Sequence, residues 1–251
     1  MGWTRHLWST SRLLAVVDWF WRRKRGVQAP RLRTRDDAQP ATRIDLKEFA
    51  PEPIEFFARA AYIELMVFDE LSLAISLTPT TAAKTALATA ADAALDRHRA
   101  FVRAIEAKGR NAAEEMDRYR AVPDRFRRLT KGADWYETTL TAHLAIGFLD
   151  DLFQALAEGL PAASAELVRE AFADRSSEAV VAGILAEAME RNPRLPSRLA
   201  LWGRRVLGDI LLVARDVLDV HGVESEGRAE PGFSELIANH TRRMDALGLS
   251  A

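Results

Sequence analysis

Two residues stand out for where their helical spacing puts them. In residues 54–75, Ile54, Phe57, Ala61, Glu64, Phe68, Leu71 and Ile75 follow one another in steps of three and four, so they share one helical face. Glu64 is the charged member of that apolar stripe. The following segment repeats the pattern. Leu87, Ala91, Ala94, His98, Phe101 and Ile105 form a seam, with Asp92, Asp96, Arg99, Arg103 and Glu106 as a wetted row opposite. A carboxylate and an imidazole thus point toward the core from consecutive helices. A buried charge must be paired, hydrogen-bonded or bound to a metal.

Further carboxylates can join this pair. Asp150 and Asp151 sit in the most apolar stretch of the chain. Asp209 interrupts the series Leu199, Trp202, Val206, Asp209, Val213, Val217, Val220. Inward carboxylates with an imidazole suit iron first and manganese second, ahead of zinc or copper. The expected metal ligands are therefore Glu64, His98, Asp150, Asp151 and Asp209. A complete di-metal bundle site takes Glu-x-x-His from two helices. Here Leu95 stands three before His98, and Leu212 stands three after Asp209. A single metal, a looser site using Asp69 or Glu137, and a vestigial site are all open. The metal-free alternative has Glu64 paired with His98 or an arginine, and Asp209 paired with Arg205 one turn away. His143 is expected to pack.

The elements that must carry these groups are helices. Periodicity and Gly/Pro stops place long helices at about 52–77, 80–108, 133–158 and 197–220. Shorter pieces fall in 111–130 around Pro123, then at 162–173, 177–191 and 232–247, with a polar loop at 223–231. No segment alternates with period two. Four long helices make a four-helix bundle. Its first pair is antiparallel across the Thr78-Pro79-Thr80 turn. The 109–132 connection is long enough to cross the bundle, which makes the third long helix run parallel to the second. With those directions Glu64, His98, Asp150/Asp151 and Asp209 fall within roughly 8 Å of one layer, at 1.5 Å of rise per residue.

The chain has 251 residues, 48% of them hydrophobic, and a formal net charge of −1. No global field marks a polyanion binder, but the charge is uneven. Residues 1–43 carry ten Lys/Arg against three Asp/Glu, and Trp3, Trp8, Trp19 and Trp21 precede Arg22-Arg23-Lys24-Arg25. We divide the chain into a basic, Trp-rich amphipathic helix (1–25), a linker (26–43), a bundle (44–222) and a loop with a C-terminal helix (223–251). The arm could seat on RNA or on an anionic membrane surface. A homodimer is a further expectation. Cysteine is absent, which excludes thiolate chemistry and disulfides. The apolar stretch 138–149 is shorter than the ~20 residues of a membrane span. Leu13–Val17 is too short for a signal peptide, and His6 breaks an acylation motif. The expected location is cytoplasmic.

Several strings resemble a known group. They are Ala60-Ala61-Tyr62, Phe68-Asp69-Glu70-Leu71, Gly132-Ala133-Asp134-Trp135-Tyr136-Glu137, Asp150-Asp151 and Leu201-Trp202-Gly203-Arg204-Arg205. Residues 44–220 resemble the ferritin-like superfamily. More narrowly they are similar to actinobacterial relatives of the tRNA hydroxylase that oxidises the isopentenyl tail of a modified adenosine. The resemblance implies an all-α, ferritin-like four-helix bundle, with additional short helices and the N-terminal amphipathic arm outside it. It also implies an O₂-activating di-iron centre.

Two functions follow as expectations. One is a metal-dependent oxidase or hydroxylase acting on a tRNA-borne or small apolar group. The other is a non-catalytic helical scaffold or binding protein with a degenerate metal site. Its basic arm would bind RNA, a membrane surface or a protein partner.

Overall fold

The structure is a computed structural model that describes residues 45–218 and 223–250. The amphipathic arm and linker expected at 1–43 lie outside the described residues.

Among the described residues every regular element is helical. A 3-10 turn, Leu46–Phe49, precedes α1 (Pro53–Leu77), α2 (Thr81–Glu106), α3 (Ala112–Asp117), α4 (Ala121–Leu129), α5 (Trp135–Ala157), α6 (Ala162–Ala171), α7 (Ser176–Arg191), α8 (Leu195–Val217) and α9 (Val223–Ala246). Local chemistry sets these limits. Proline opens α1 at its first turn, where no N–H is missed. Thr80 caps α2, its hydroxyl accepting from the Ala83 N–H. Past the end of α2, Gly109 adopts φ 71°, a left-handed conformation that favours glycine. At α5, the Asp134 side chain accepts from the Glu137 N–H, and Glu137 reaches back to the Ala133 N–H at 2.8 Å.

Four helices form a closed ring. α1 packs on α2 and α5, and α7 packs on the same two from the opposite corner. Ring contacts set the directions. Phe56, at the start of α1, meets Phe153, near the end of α5, at 5.4 Å between centroids. α1 and α5 are therefore antiparallel, and α5 runs parallel to α2 as the crossover expectation required. α3 and α4 make that crossover.

The fourth member of the ring differs from expectation. α7, read from sequence as a short accessory piece, fills the corner between α2 and α5. α8, the long helix expected there, packs on the outer side of α5 and on α4. It also runs parallel to α5: Arg198 pairs with Asp134 at its start, and the Trp202 indole N–H donates to Thr141 Oγ1 at 2.9 Å. Length misled the sequence reading. The α7 helix buries Val181, Leu185 and Met189 toward the ring, which is enough for a corner position.

The polar loop expected at 223–231 is also helical, and Pro231 lies inside α9. α9 packs on α5 and α8. α5 is central: every residue from Glu137 to Asp150 is buried. At one end of the ring, Phe56, Phe101, Phe153 and Phe172 interlock with neighbouring centroids 5.4–6.2 Å apart.

Candidate functional site: two arginine-centred ion clusters

Inside the ring, the group that α2 turns toward Glu64 is Arg97. Its Nε donates to Glu64 Oε2 at 2.9 Å, and the two side chains are 5% and 2% exposed. Phe172 lies under the guanidinium at 5.5 Å from the ring centroid. Arg97 Nη2 is buried without a protein partner. His98 is only half-buried and sits to the side of this pair. Its Nδ1–H donates to the Ala61 carbonyl at 2.8 Å. The expectation that His98 shares the apolar seam is corrected here. From Ala94 the seam steps three to Arg97 and four to Phe101, instead of four and then three. Both paths satisfy helical spacing, and packing chose the first.

Asp150 closes the cluster from α5. It is 4% exposed. Burial, reinforced by the Glu64 charge and opposed by Arg97, pushes its pKa up to about 8. Burial also pushes Glu64 upward, while Arg97 beside it pulls the other way. Arg97 is penalised by burial, yet Glu64 and Asp150 hold its pKa above the ordinary value. The charge-assisted hydrogen bond keeps Glu64 and Arg97 as an ion pair. With Asp150 carrying its proton, the buried group is neutral at pH 7.

Asp151, one residue on, faces a second cluster. Its carboxylate accepts from Arg243 Nη2 at 2.7 Å, from Asn239 Nδ2 at 2.9 Å and from Arg175 Nη2 at 2.9 Å. These partners hold its pKa below the usual range although burial alone would raise it. The Arg243 Nε also pairs with Glu178, in the first turn of α7. Arg243 reaches this place across α5 because residue 147 is glycine. A Cβ there would stand 2.1 Å from Arg243 Nε. His143 and His240 line the same interface, each with an unpartnered, buried Nδ1. Burial pushes the pKa of each down to about 4.

The remaining expected ligands lie elsewhere. Asp209 is half-exposed on α8, outside the ring. Asp69 pairs with Arg127 at 2.8 Å, and Glu137 is spent on the α5 cap. The structure thus brings Glu64 and Asp150 together and separates them from His98, Asp151 and Asp209. Sequence reading missed Arg97, Glu178, Asn239, His240 and Arg243. The spacing Leu236, His240, Arg243, Leu247 on α9 was the available signal for the last two.

A family model described as "Ferritin-like domain, actinomycetes" matches residues 48–226. The chain belongs to that family. No curated protein matches it. The ferritin-like match runs from the 3-10 turn through α8 into α9, so it contains the whole ring and both aspartates. A metal layer, implied by the ferritin-like resemblance, would lie at the depth of Glu64 and Asp150. The groups of this ferritin-like domain do not fit one as placed. A guanidinium already neutralises Glu64 there. Among the described residues no three His, Asp or Glu side chains are grouped to hold an ion.

Proposed function

We propose that this ferritin-like protein works as a binding scaffold whose central cation is Arg97 in place of a metal. One observation carries the reading. The Arg97–Glu64 pair, almost wholly buried and flanked by Asp150, puts a guanidinium, already neutralised by Glu64, where a metal would otherwise be held. Such a pair, with its hydrogen bond made, keeps the helix ring in one register without any added ion. The binding element in this reading is the basic segment 1–43, aimed at a polyanionic surface such as RNA or anionic lipid.

Metal analysis tests the first half. Full-length protein reconstituted with ferrous iron under anaerobic conditions should hold far less than one metal per chain. About one iron per chain, lost in Glu64→Ala, would restore the rival reading. That rival is an oxidase or hydroxylase, including one acting on a tRNA-borne apolar group. In it Glu64, His98, Asp150, Asp151 and Asp209 would rearrange around iron or manganese. The second half is read from salt-dependent binding of full-length protein to RNA and, separately, to anionic vesicles. Replacing Arg22, Arg23, Lys24 and Arg25 by serine should weaken whichever binding is present and flatten its salt slope. Unchanged binding would remove the arm from the account.

A further inference from the structure

The outer side of α8 leaves apolar groups uncovered. Leu201 is 66% exposed, the most open of the large apolar side chains among the described residues, and Leu212 is 46% exposed. They stand eleven residues apart on one helix, so both point the same way with about 16 Å of rise between them. Arg205 and Gly208 lie between them on that face, both exposed. A Cβ on Gly208 would meet nothing within 4 Å, so no neighbouring element overlies the stripe there.

The last turn of α4 edges the same face. Arg205 Nη2 donates to the Leu129 carbonyl at 3.3 Å, which sets that turn beside α8. Leu129 is itself 41% exposed. Arg125, Arg128 and Lys131 surround it in the chain and are all exposed. Arg127, among them, reaches across to Asp69 and Glu70. Arg125, Arg128 and Lys131 have no acidic partner among the described residues. Arg204 and Arg205 donate to backbone carbonyls, of Ser250 and Leu129, which leave their charge uncancelled. Five cations thus stand against the half-exposed Asp209, in a chain whose formal net charge is −1.

Leucine beside arginine suits one partner better than the others. A second copy would set these cations against their own kind. A nucleic acid strand gains from open aromatic platforms. The aromatic ring of α8, Trp202, is instead half-buried, with the Arg205 guanidinium 5.2 Å from its centroid and its N–H bonded to Thr141. An anionic bilayer offers phosphates to the guanidinium groups and an apolar layer to the leucines.

We propose that the α8 face, edged by the last turn of α4, rests on an anionic lipid surface. Leu129, Leu201 and Leu212 enter the headgroup layer, and the five cations meet lipid phosphates. The contact is peripheral, because no helix among the described residues is long and apolar enough to cross a membrane. It extends the anionic-surface reading above to the helical body, and it stands on residues separate from segment 1–43.

The chain has no cysteine, so Gly208→Cys gives one site for an environment-sensitive nitrobenzoxadiazole label on this face. Labelled full-length protein is mixed with vesicles of phosphatidylserine and phosphatidylcholine in equal parts, with phosphatidylcholine vesicles, and with single-stranded RNA. The emission should move to the blue with the anionic vesicles and return as salt is raised. Phosphatidylcholine and RNA should leave it in place. Arg125→Ser with Arg128→Ser and Lys131→Ser should weaken vesicle binding read by this label by about fivefold per charge, or about a hundredfold together. Leu201→Ser with Leu212→Ser should remove the blue shift. Serine at Arg22, Arg23, Lys24 and Arg25 should leave the emission of the bound label unchanged, so the arm and the face fail separately. A label unmoved by anionic vesicles overturns the proposal, even where the arm binds them. So does undiminished binding by the folded triple variant. A shift brought by RNA, or by protein concentration alone, overturns it as well and assigns the face to nucleic acid or to a second copy.

Discussion

Asp150 and Asp151 are neighbours on α5 yet answer to different arginines. Asp150 turns into the ring beside Arg97 and Glu64, while Asp151 turns outward to Arg243, Asn239 and Arg175. The step of about 100° between adjacent helical residues suffices to split them between two interfaces. Their acidities separate accordingly, Asp150 upward and Asp151 downward.

The Arg97–Glu64 pair should behave as a unit. Arg97→Ala leaves a buried carboxylate without its cation and should destabilise the fold by about 3–5 kcal/mol. Replacing both residues by apolar side chains of similar size, Arg97→Met with Glu64→Leu, should recover much of that loss. Urea unfolding of the two singles and the double gives the cycle. Additive losses would show that the two side chains do not interact.

Asp150 should make the protein less stable as pH rises. Its pKa of about 8 lies far above the ordinary 3.8 of a free side chain. Between those values the folded state holds a proton that the unfolded state has lost. Stability therefore falls with rising pH across that window, by at most about 1.4 kcal/mol per unit, and levels off above 8. Asp150→Asn should remove this slope. The measurement is the difference in unfolding free energy between wild type and variant from pH 5 to pH 9.

His143 and His240 act in the opposite direction. Both have a folded pKa of about 4 against 6.5 for the free side chain. Their contribution is fully present above pH 6.5 and is lost as pH falls toward 4. Two such groups outweigh Asp150 on the acid side, so these three residues together place maximum stability near pH 6.5. His143→Gln and His240→Gln should each flatten the acid limb while leaving the alkaline limb in place. Thermal unfolding across pH 4–9 reads both limbs in one series.

Gly147 should not tolerate a methyl group. Gly147→Ala puts a Cβ on the path of Arg243. The arginine must then leave Asp151 and Glu178, or the helices must part. A loss of about 1–3 kcal/mol is expected from the overpacking alone. Hydrogen exchange should locate the damage at 235–246 of α9, with the amides of α1 and α2 little changed. Uniform acceleration across the ring would contradict this assignment.

The helical class, the tight α1–α2 hairpin and the crossover were legible in the sequence. Each rests on a local property: the three-and-four spacing of apolar residues, a capping Thr80, a stop at Gly109, and the length of the 109–132 connection. Glu64 and Asp150 were legible as buried carboxylates for the same reason. Their apolar neighbours outnumber them on every turn. The choice between Arg97 and His98 was not legible, because both positions lie within half a turn of the same seam and only the packing of α1 and α7 rotates one of them inward. Likewise, helix length could not say that α7 rather than α8 completes the ring. That depends on which apolar face complements the groove between α2 and α5, and it moved Asp209 from the expected layer to a half-exposed outer helix. The Arg243 cluster brings together α5, α7 and α9, from residues up to 92 positions apart in the chain. No local pattern encodes such a pairing. It exists because Gly147 leaves room for one side chain to cross a helix, a fact that only the assembled backbone contains.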